Sequence, residues 1–178
     1  MIKSKIIFLF LVLLGLVSAC NSDKRPKTLS EVQAYEKPLE DVNRYLLNQD
    51  EQDIRNYCKR HGWKMNMTKS GLWYGDLKPS KLDFVQLGDV VKIKYQVKLL
   101  DGKLLYDSDS LGTKTFEVGH GGVENGLEEG ILLMKDQEKY RFIMPPHKAH
   151  GLLGDLNKIP ARSTIVYYVE IIKLSHKE

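Results

Sequence analysis

Alternation of apolar and polar residues is clearest between Val91 and Leu99. Val91, Ile93, Tyr95, Val97 and Leu99 fall on one side of an extended chain, and Lys92, Lys94, Gln96 and Lys98 on the other. A period of two predicts a strand in an antiparallel sheet with one dry face. Asp101-Gly102 follows, a hairpin signal that tolerates positive φ, and Leu104 to Asp107 is the predicted returning strand. Glu138 to Met144, stopped by Pro145-Pro146, predicts another. The last strand is Thr164 to Leu174, with Ile165, Tyr167, Val169 and Ile171 on one face. Trp63, Met65 and Met67 also alternate, and Leu72 to Tyr74 follows a Lys69-Ser70-Gly71 turn. Pro79 to Phe84 and His147 to Ala161 read as loops.

Helical spacing is confined to two segments. In Phe116 to Met134 a strand ends at Val118, glycines 119, 121 and 122 make a turn, and a short helix starts near Asn125. Leu127, Ile131 and Met134 share one face of that helix, so it should lie across the sheet. The space at its N-terminal end is the first place to expect a pocket. Earlier in the chain, Leu39, Val42, Tyr45 and Leu46 keep helical spacing from Pro38, and Ile54, Tyr57 and Cys58 resume it. Asn48 to Asp50 is a possible break, with Asp50 as a second N-cap. Lys59, Arg60 and His61 suit a last turn, and Gly62 a helix stop. Whether this segment covers the domain or joins two copies is open from sequence. The sum is an α+β class protein.

The chain has 178 residues, 42% hydrophobic and 28% charged, which suits one domain with extensions. A formal charge of +4 is too mild to point to nucleic acid or a strongly acidic partner. Met1 to Cys20 has the layout of a secretory signal: Lys3 and Lys5, an apolar run from Ile6 to Val17, then Ser18 and Ala19. Val17-Ser18-Ala19-Cys20 resembles the bacterial lipobox, whose cysteine is lipidated. That use of Cys20 leaves Cys58 without a disulfide partner, and a lone helical cysteine reads as a small buried hydrophobe. The predicted organisation is a signal peptide over 1–19, a tether over 20–37, a helical extension over 38–62 and a domain over 63–178.

Much familiar chemistry is absent. Gly119-His120-Gly121-Gly122-Val123-Glu124 fails as a dinucleotide loop at the third glycine, and no parallel βαβ unit surrounds it. His147, His150 and Asp155 match no strong zinc spacing. Glu128 and Glu129 are adjacent on a helix, point apart, and read as a solvated helix start. No nucleophile elbow is present. Tyr140 and Arg141 read as a solvated sheet face.

From Gly88 to Leu174 the chain resembles the FKBP-type peptidyl-prolyl cis/trans isomerases, in the blocks GDVVKIKYQVKLLDG, YDSD, FEVGHGGVENGLEEGILLM, MPPHKAHG and IPARSTIVYYVEIIKL. With its lipobox and helix it is similar to gliding-motility-associated lipoproteins of that type. The resemblance implies a twisted antiparallel sheet wrapped around one short helix, with an N-terminal helical extension. It implies Tyr95, Asp107, His150 and Tyr167 as catalytic residues, Asp107 being a buried pocket carboxylate. Tyr106, Phe116, Val123, Glu124, Leu127 and Ile159 would contact substrate. Neither a cofactor nor a metal is implied.

The implied chemistry is physical. Amide rotation faces about 18–20 kcal/mol, and an uncatalysed X–Pro bond takes tens to hundreds of seconds to isomerise. A dry aromatic pocket favours the twisted, less polar amide over the planar one, and no proton need move. Several positions depart from the family pattern: Leu127 for tryptophan, Glu124 for isoleucine, Lys114 for phenylalanine and His150 for tyrosine. They motivate an alternative, a chaperone or binding module with weak or no isomerase activity. Implied partners are proline-containing unfolded polypeptides, a membrane reached through the lipid on Cys20, and a second copy through residues 38–62. The implied location is the bacterial envelope, at the outer membrane and facing the periplasm.

Overall fold

The computed structural model describes residues 28–176. The predicted signal peptide, Cys20 and the first part of the predicted tether lie outside the described residues. Helix α1 spans Leu29–His61. It is continuous where a break was expected at Asn48 to Asp50, and it starts well before Pro38, which lies inside it. Asp50 is therefore no N-cap. Its carboxylate instead accepts hydrogen bonds from the Arg162 guanidinium at 3.1 Å, and the same guanidinium donates to the Leu46 carbonyl at 3.2 Å. Residues up to Arg44 form one unit and those from Tyr45 a second. Within the first, Asp41 pairs with Arg44 one turn on, and Leu39 and Val42 are exposed.

The second unit is built on one antiparallel sheet. Its strands are β1 (Asn66–Met67), β2 (Trp73–Lys78), β3 (Val90–Leu99), β4 (Leu104–Asp107), β5 (Lys114–Glu117), β6 (Lys139–Met144) and β7 (Ile165–Ser175). Their order is β1-β2-β6-β7-β3-β4, with β5 also on β3. A four-residue helix α2 (Ser108–Leu111) breaks the expected loop after Asp107, and helix α3 spans Asn125–Ile131. Gly102 takes φ 88° in the β3–β4 hairpin, and Gly62 takes φ 64° where α1 stops.

Register places Tyr106, Val97, Tyr167, Phe142 and Tyr74 in one row across five strands. Directly paired residues point to the same side of a sheet, so this row forms the face that α3 crosses. Leu127, Ile131 and Met134 are fully buried there. The helix comes this close because of two glycines. A Cβ on Gly130 would lie 2.8 Å from the Phe142 ring, and one on Gly126 would lie 2.8 Å from the Lys148 carbonyl.

The opposite face departs from the expectation of a solvated surface. Trp73, Ile143 and Val166 are buried beneath Ile54, Tyr57 and Cys58 of α1. Arg141 stacks its guanidinium 3.4 Å from the Trp63 ring centroid and 5.3 Å from that of Tyr168. Tyr140, on the other side, is half-buried against the main core. A sheet covered on both faces needs apolar residues at both phases of the alternation. β6 and β7 supply them, and β3, with Lys92 and Lys94 exposed, does not.

Candidate active site

The outer edge of β3 changes partner along its length. β5 pairs with Val90 to Ile93, and β4 with Gln96 to Lys98. Between them the chain turns through α2, and the Tyr95 amide donates to the Ser108 hydroxyl at 3.1 Å instead of to a strand. Asp107 makes this break. Its Oδ1 accepts from the amides of Asp109 and Ser110, both at 2.9 Å, capping α2. Those bonds, led by Ser110, hold its carboxyl below the usual range. The buried pocket carboxylate expected at Asp107 is thus a partly exposed helix cap, its Oδ1 held by backbone amides and its Oδ2 by the Ser110 hydroxyl at 3.2 Å.

The tilted rings of Tyr95 and Tyr167 lie 6.0 Å apart. Tyr167 is fully buried, and that burial, reinforced by the charge of Glu124, pushes its phenol far above the ordinary tyrosine range. It therefore stays a neutral hydroxyl. Lys114 donates to this hydroxyl at 3.4 Å, lies 3.9 Å from Glu124 Oε2, and sits 5.2 Å from the Tyr95 ring centroid.

Glu124 occupies the N-cap of α3, but its side chain does not cap. Its carbonyl accepts from the amides of Leu127 and Glu128, and the carboxylate is left to the cleft. Oε1 lies 3.3 Å from His150 Nε2 without hydrogen-bond geometry, and Oε2 has no hydrogen-bond partner. The resulting cleft holds about 480 Å³ and is lined by Lys114, Val123, Glu124, Asn125, Ala149 and His150.

The two remaining acids of α3 are engaged rather than solvated. Glu128 accepts from the amides of Gly119 at 2.7 Å and Gly121 at 3.1 Å, tying the glycine turn to the helix. Glu129 accepts from the Ser70 hydroxyl at 2.7 Å and from Lys148 at 2.9 Å. Burial alone would raise the Glu129 carboxyl, but Lys148 and the hydroxyls of Ser70 and Thr68 outweigh it and hold it low. His147 faces the Ser70 carbonyl at 3.1 Å, His150 faces Glu124, and Asp155 accepts from Tyr106. The three side chains once weighed together as metal ligands serve three separate contacts.

The model for FKBP-type peptidyl-prolyl cis-trans isomerases matches residues 82–172, from just before β3 into β7. The chain belongs to this family. It is 28% identical over 168 residues to a probable FKBP-type peptidyl-prolyl cis-trans isomerase of Haemophilus influenzae, covering 92% of this chain and 68% of that one. It is 35% identical to FK506-binding protein 1A of Emericella nidulans, over 52% of this chain and 87% of that one. Among solved structures, AtFKBP13 aligns with a TM-score of 0.59 at 29% identity, over 62% of this chain and 98% of that one. FkpA from Escherichia coli shares the fold, with a TM-score of 0.62 at 24% identity, over 96% of this chain and 82% of that one.

Of the predicted site residues, Val123, Glu124 and His150 line the cleft of this FKBP-type isomerase domain. Leu127, Ile159 and Tyr167 are buried in the main core, and Tyr95, Tyr106, Phe116 and Val123 are half-buried against it. Leu127 and Ile159 thus support the cleft from beneath. Two features escaped the sequence reading. Asn125 and Ala149 line the cleft by position alone. Asp155 accepts from the amides of Asn157 and Ile159 and from the Tyr106 hydroxyl, which fixes that ring. An aspartate two residues before asparagine is a readable turn signal; its link to Tyr106 is not.

Proposed function

We propose that the cleft at the start of α3 binds the proline of a polypeptide and speeds rotation about the preceding peptide bond, in a protein held to a bacterial envelope membrane by lipidated Cys20. The observation carrying this is the open cleft lined by Val123, Glu124 and His150, whose Lys114 reaches the hydroxyl of the buried Tyr167. A dry aromatic wall disfavours the charge separation of a planar amide, and the twisted transition state has less of it. The cleft-facing Glu124 and His150 supply polar contacts for flanking backbone. No group takes or gives a proton.

A protease-coupled assay with prolyl tetrapeptides tests the activity. The expected result is acceleration well above background. Folded protein without acceleration sinks the cleft mechanism and favours a chaperone that binds through the same groove. The Lys114, Glu124 and His150 cluster supports that second reading, because charged groups hold water in a site that should be dry. The lipobox supports a place in the cell envelope and so a role in folding extracytoplasmic clients; the resemblance to FKBP-type lipoproteins supports the outer membrane, facing the periplasm. Labelling with radioactive palmitate should mark the wild type and miss Cys20→Ala. Self-association through residues 38–62 is the further part of the reading. With Ile54, Tyr57 and Cys58 buried on the sheet, it falls to the exposed Leu39, Val42 and Tyr45. Light scattering that gives a monomer at high concentration removes it.

A further inference from the structure

The sheet face that α1 packs on changes character along its strands. At one end Trp73, Ile143 and Val166 lie under Ile54, Tyr57 and Cys58. At the other end the register gathers lysines. Lys78, Lys139, Glu170 and Lys94 form one row across four strands, and Lys173 and Lys92 are paired in the row beyond. Lys78, Lys92, Lys94 and Lys173 are exposed, and none of the four makes an ion pair among the described residues. The formal charge of +4 hides this concentration, because strands far apart in the chain supply it.

The fold does not ask for this arrangement. Like charges directly opposite on neighbouring strands repel. This face carries two such pairs, Lys92 with Lys173 and Lys78 with Lys139. Glu170 relieves the second by taking the Lys139 ammonium at 2.9 Å, and is thereby drawn away from Lys94, its other cross-strand neighbour. Glu117, at the margin, faces His120 at 3.4 Å. Asp109 of α2 borders the same hollow as Lys94 and Lys139, a space of about 320 Å³. These acids leave Lys92 and Lys173 opposed to each other without a counter-charge. Repulsion kept without gain to the fold marks positions kept for another reason.

We propose that this lysine face docks on anionic phospholipid headgroups, laying the sheet against the membrane and leaving the cleft, on the opposite face, open to polypeptide. The proposal rests on the membrane attachment in the reading above, since the lipid on Cys20 brings this surface within reach. Each lysine near an anionic bilayer strengthens binding about fivefold. A tether supplies a high local concentration, so a few such contacts suffice. Headgroup charge also removes the cost of holding Lys92 against Lys173, which water alone does not.

The test places the full palmitate-carrying chain in phosphatidylcholine vesicles with and without phosphatidylglycerol. Acylation of each lysine by a water-soluble reagent is then followed by mass spectrometry. With phosphatidylglycerol, Lys78, Lys92, Lys94 and Lys173 should react about fivefold more slowly or less still, and should recover in molar salt. Lys114 in the cleft should not change. The triple variant Lys92→Gln, Lys94→Gln, Lys173→Gln should raise the urea midpoint as the repulsion goes, keep its kcat/KM on a prolyl tetrapeptide, and lose the protection of Lys78. Equal acylation in the two kinds of vesicle overturns the proposal. So does protection given by inorganic phosphate or by a second copy of the chain without vesicles. A triple variant with a lower urea midpoint also overturns it, because the lysines then serve the fold. If palmitate fails to mark Cys20, the attachment reading falls, and the same vesicles added to the unlipidated chain still decide the lysine face.

Discussion

The two faces of the sheet are covered by helices in different ways. On one face α3 is short and approaches closely, because Gly126 and Gly130 put backbone where side chains would stand. Its N-terminal end stops at Glu124, short of the β5 edge, and the uncovered space is the cleft. On the other face the last turns of α1 lay down Ile54, Tyr57 and Cys58, with Trp63 and Arg141 sealing the margin. The cleft face leaves charged groups with imperfect partners, and the α1 face leaves its apolar groups covered. One face is arranged for binding and the other for stability, so substitutions on the two should separate rate from folding.

Tyr167→Ala breaks the separation most severely, because Tyr167 serves both. Removing a fully buried aromatic ring should cost about 3–5 kcal/mol in urea unfolding. Tyr167→Phe should keep the fold and lose only the hydroxyl held by Lys114. A Phe variant with wild-type isomerase rate would show that the ring, not the hydroxyl, matters.

Ile54→Ala acts on the α1 face alone. It should cost about 2–5 kcal/mol in stability, with kcat/KM unchanged for a prolyl tetrapeptide below the unfolding transition. A parallel loss of rate would mean the faces are coupled. Gly130→Ala acts on the other face, pressing a methyl into Phe142, at about 1–3 kcal/mol. It should also lower the rate by displacing α3 and with it Glu124.

The smallest effect concerns acid. The Glu129 carboxyl titrates lower in the folded state than in the unfolded one. The unfolded chain therefore binds this proton first, and the stabilisation is full above the unfolded pKa of about 4.3 and lost as pH falls through the folded value. Glu129→Gln should flatten the urea midpoint against pH between about pH 5 and 3. A slope equal to wild type would place the acid sensitivity elsewhere, Asp107 and Asp155 being the other carboxyls held low.

Most of the fold was legible because the alternation is strong where only one face of a strand is dry. β3 is the plainest case. The reading faltered where the sheet is covered twice, since Ile143 and Val166 look like interruptions until α1 is laid on them. Asn48 to Asp50 looked like a helix break for a related reason. Asn and Asp weaken a helix locally, and Arg162, more than a hundred residues away, takes up Asp50. Of the cleft lining, the family resemblance named Val123, Glu124 and His150; it misread Asp107, because an aspartate before Ser-Asp-Ser is also a helix cap, and the backbone amides claimed it.

Sequence alone determined the elements and the residue types brought to the cleft, because period, turn glycines and prolines act over a few residues. It also determined the prediction of a signal peptide and lipidated Cys20, which rests on local chemistry outside the described residues. Tertiary structure decided which carboxylates are free. Asp107, Glu128 and Glu129 each find donors through the way the chain folds back, and Glu124 Oε2 does not. It also decided that Leu152, Leu153 and Leu156 stay outside. Hydrophobicity favours burial for any leucine, and only the closed hydrogen-bonding of their loop holds these three in water.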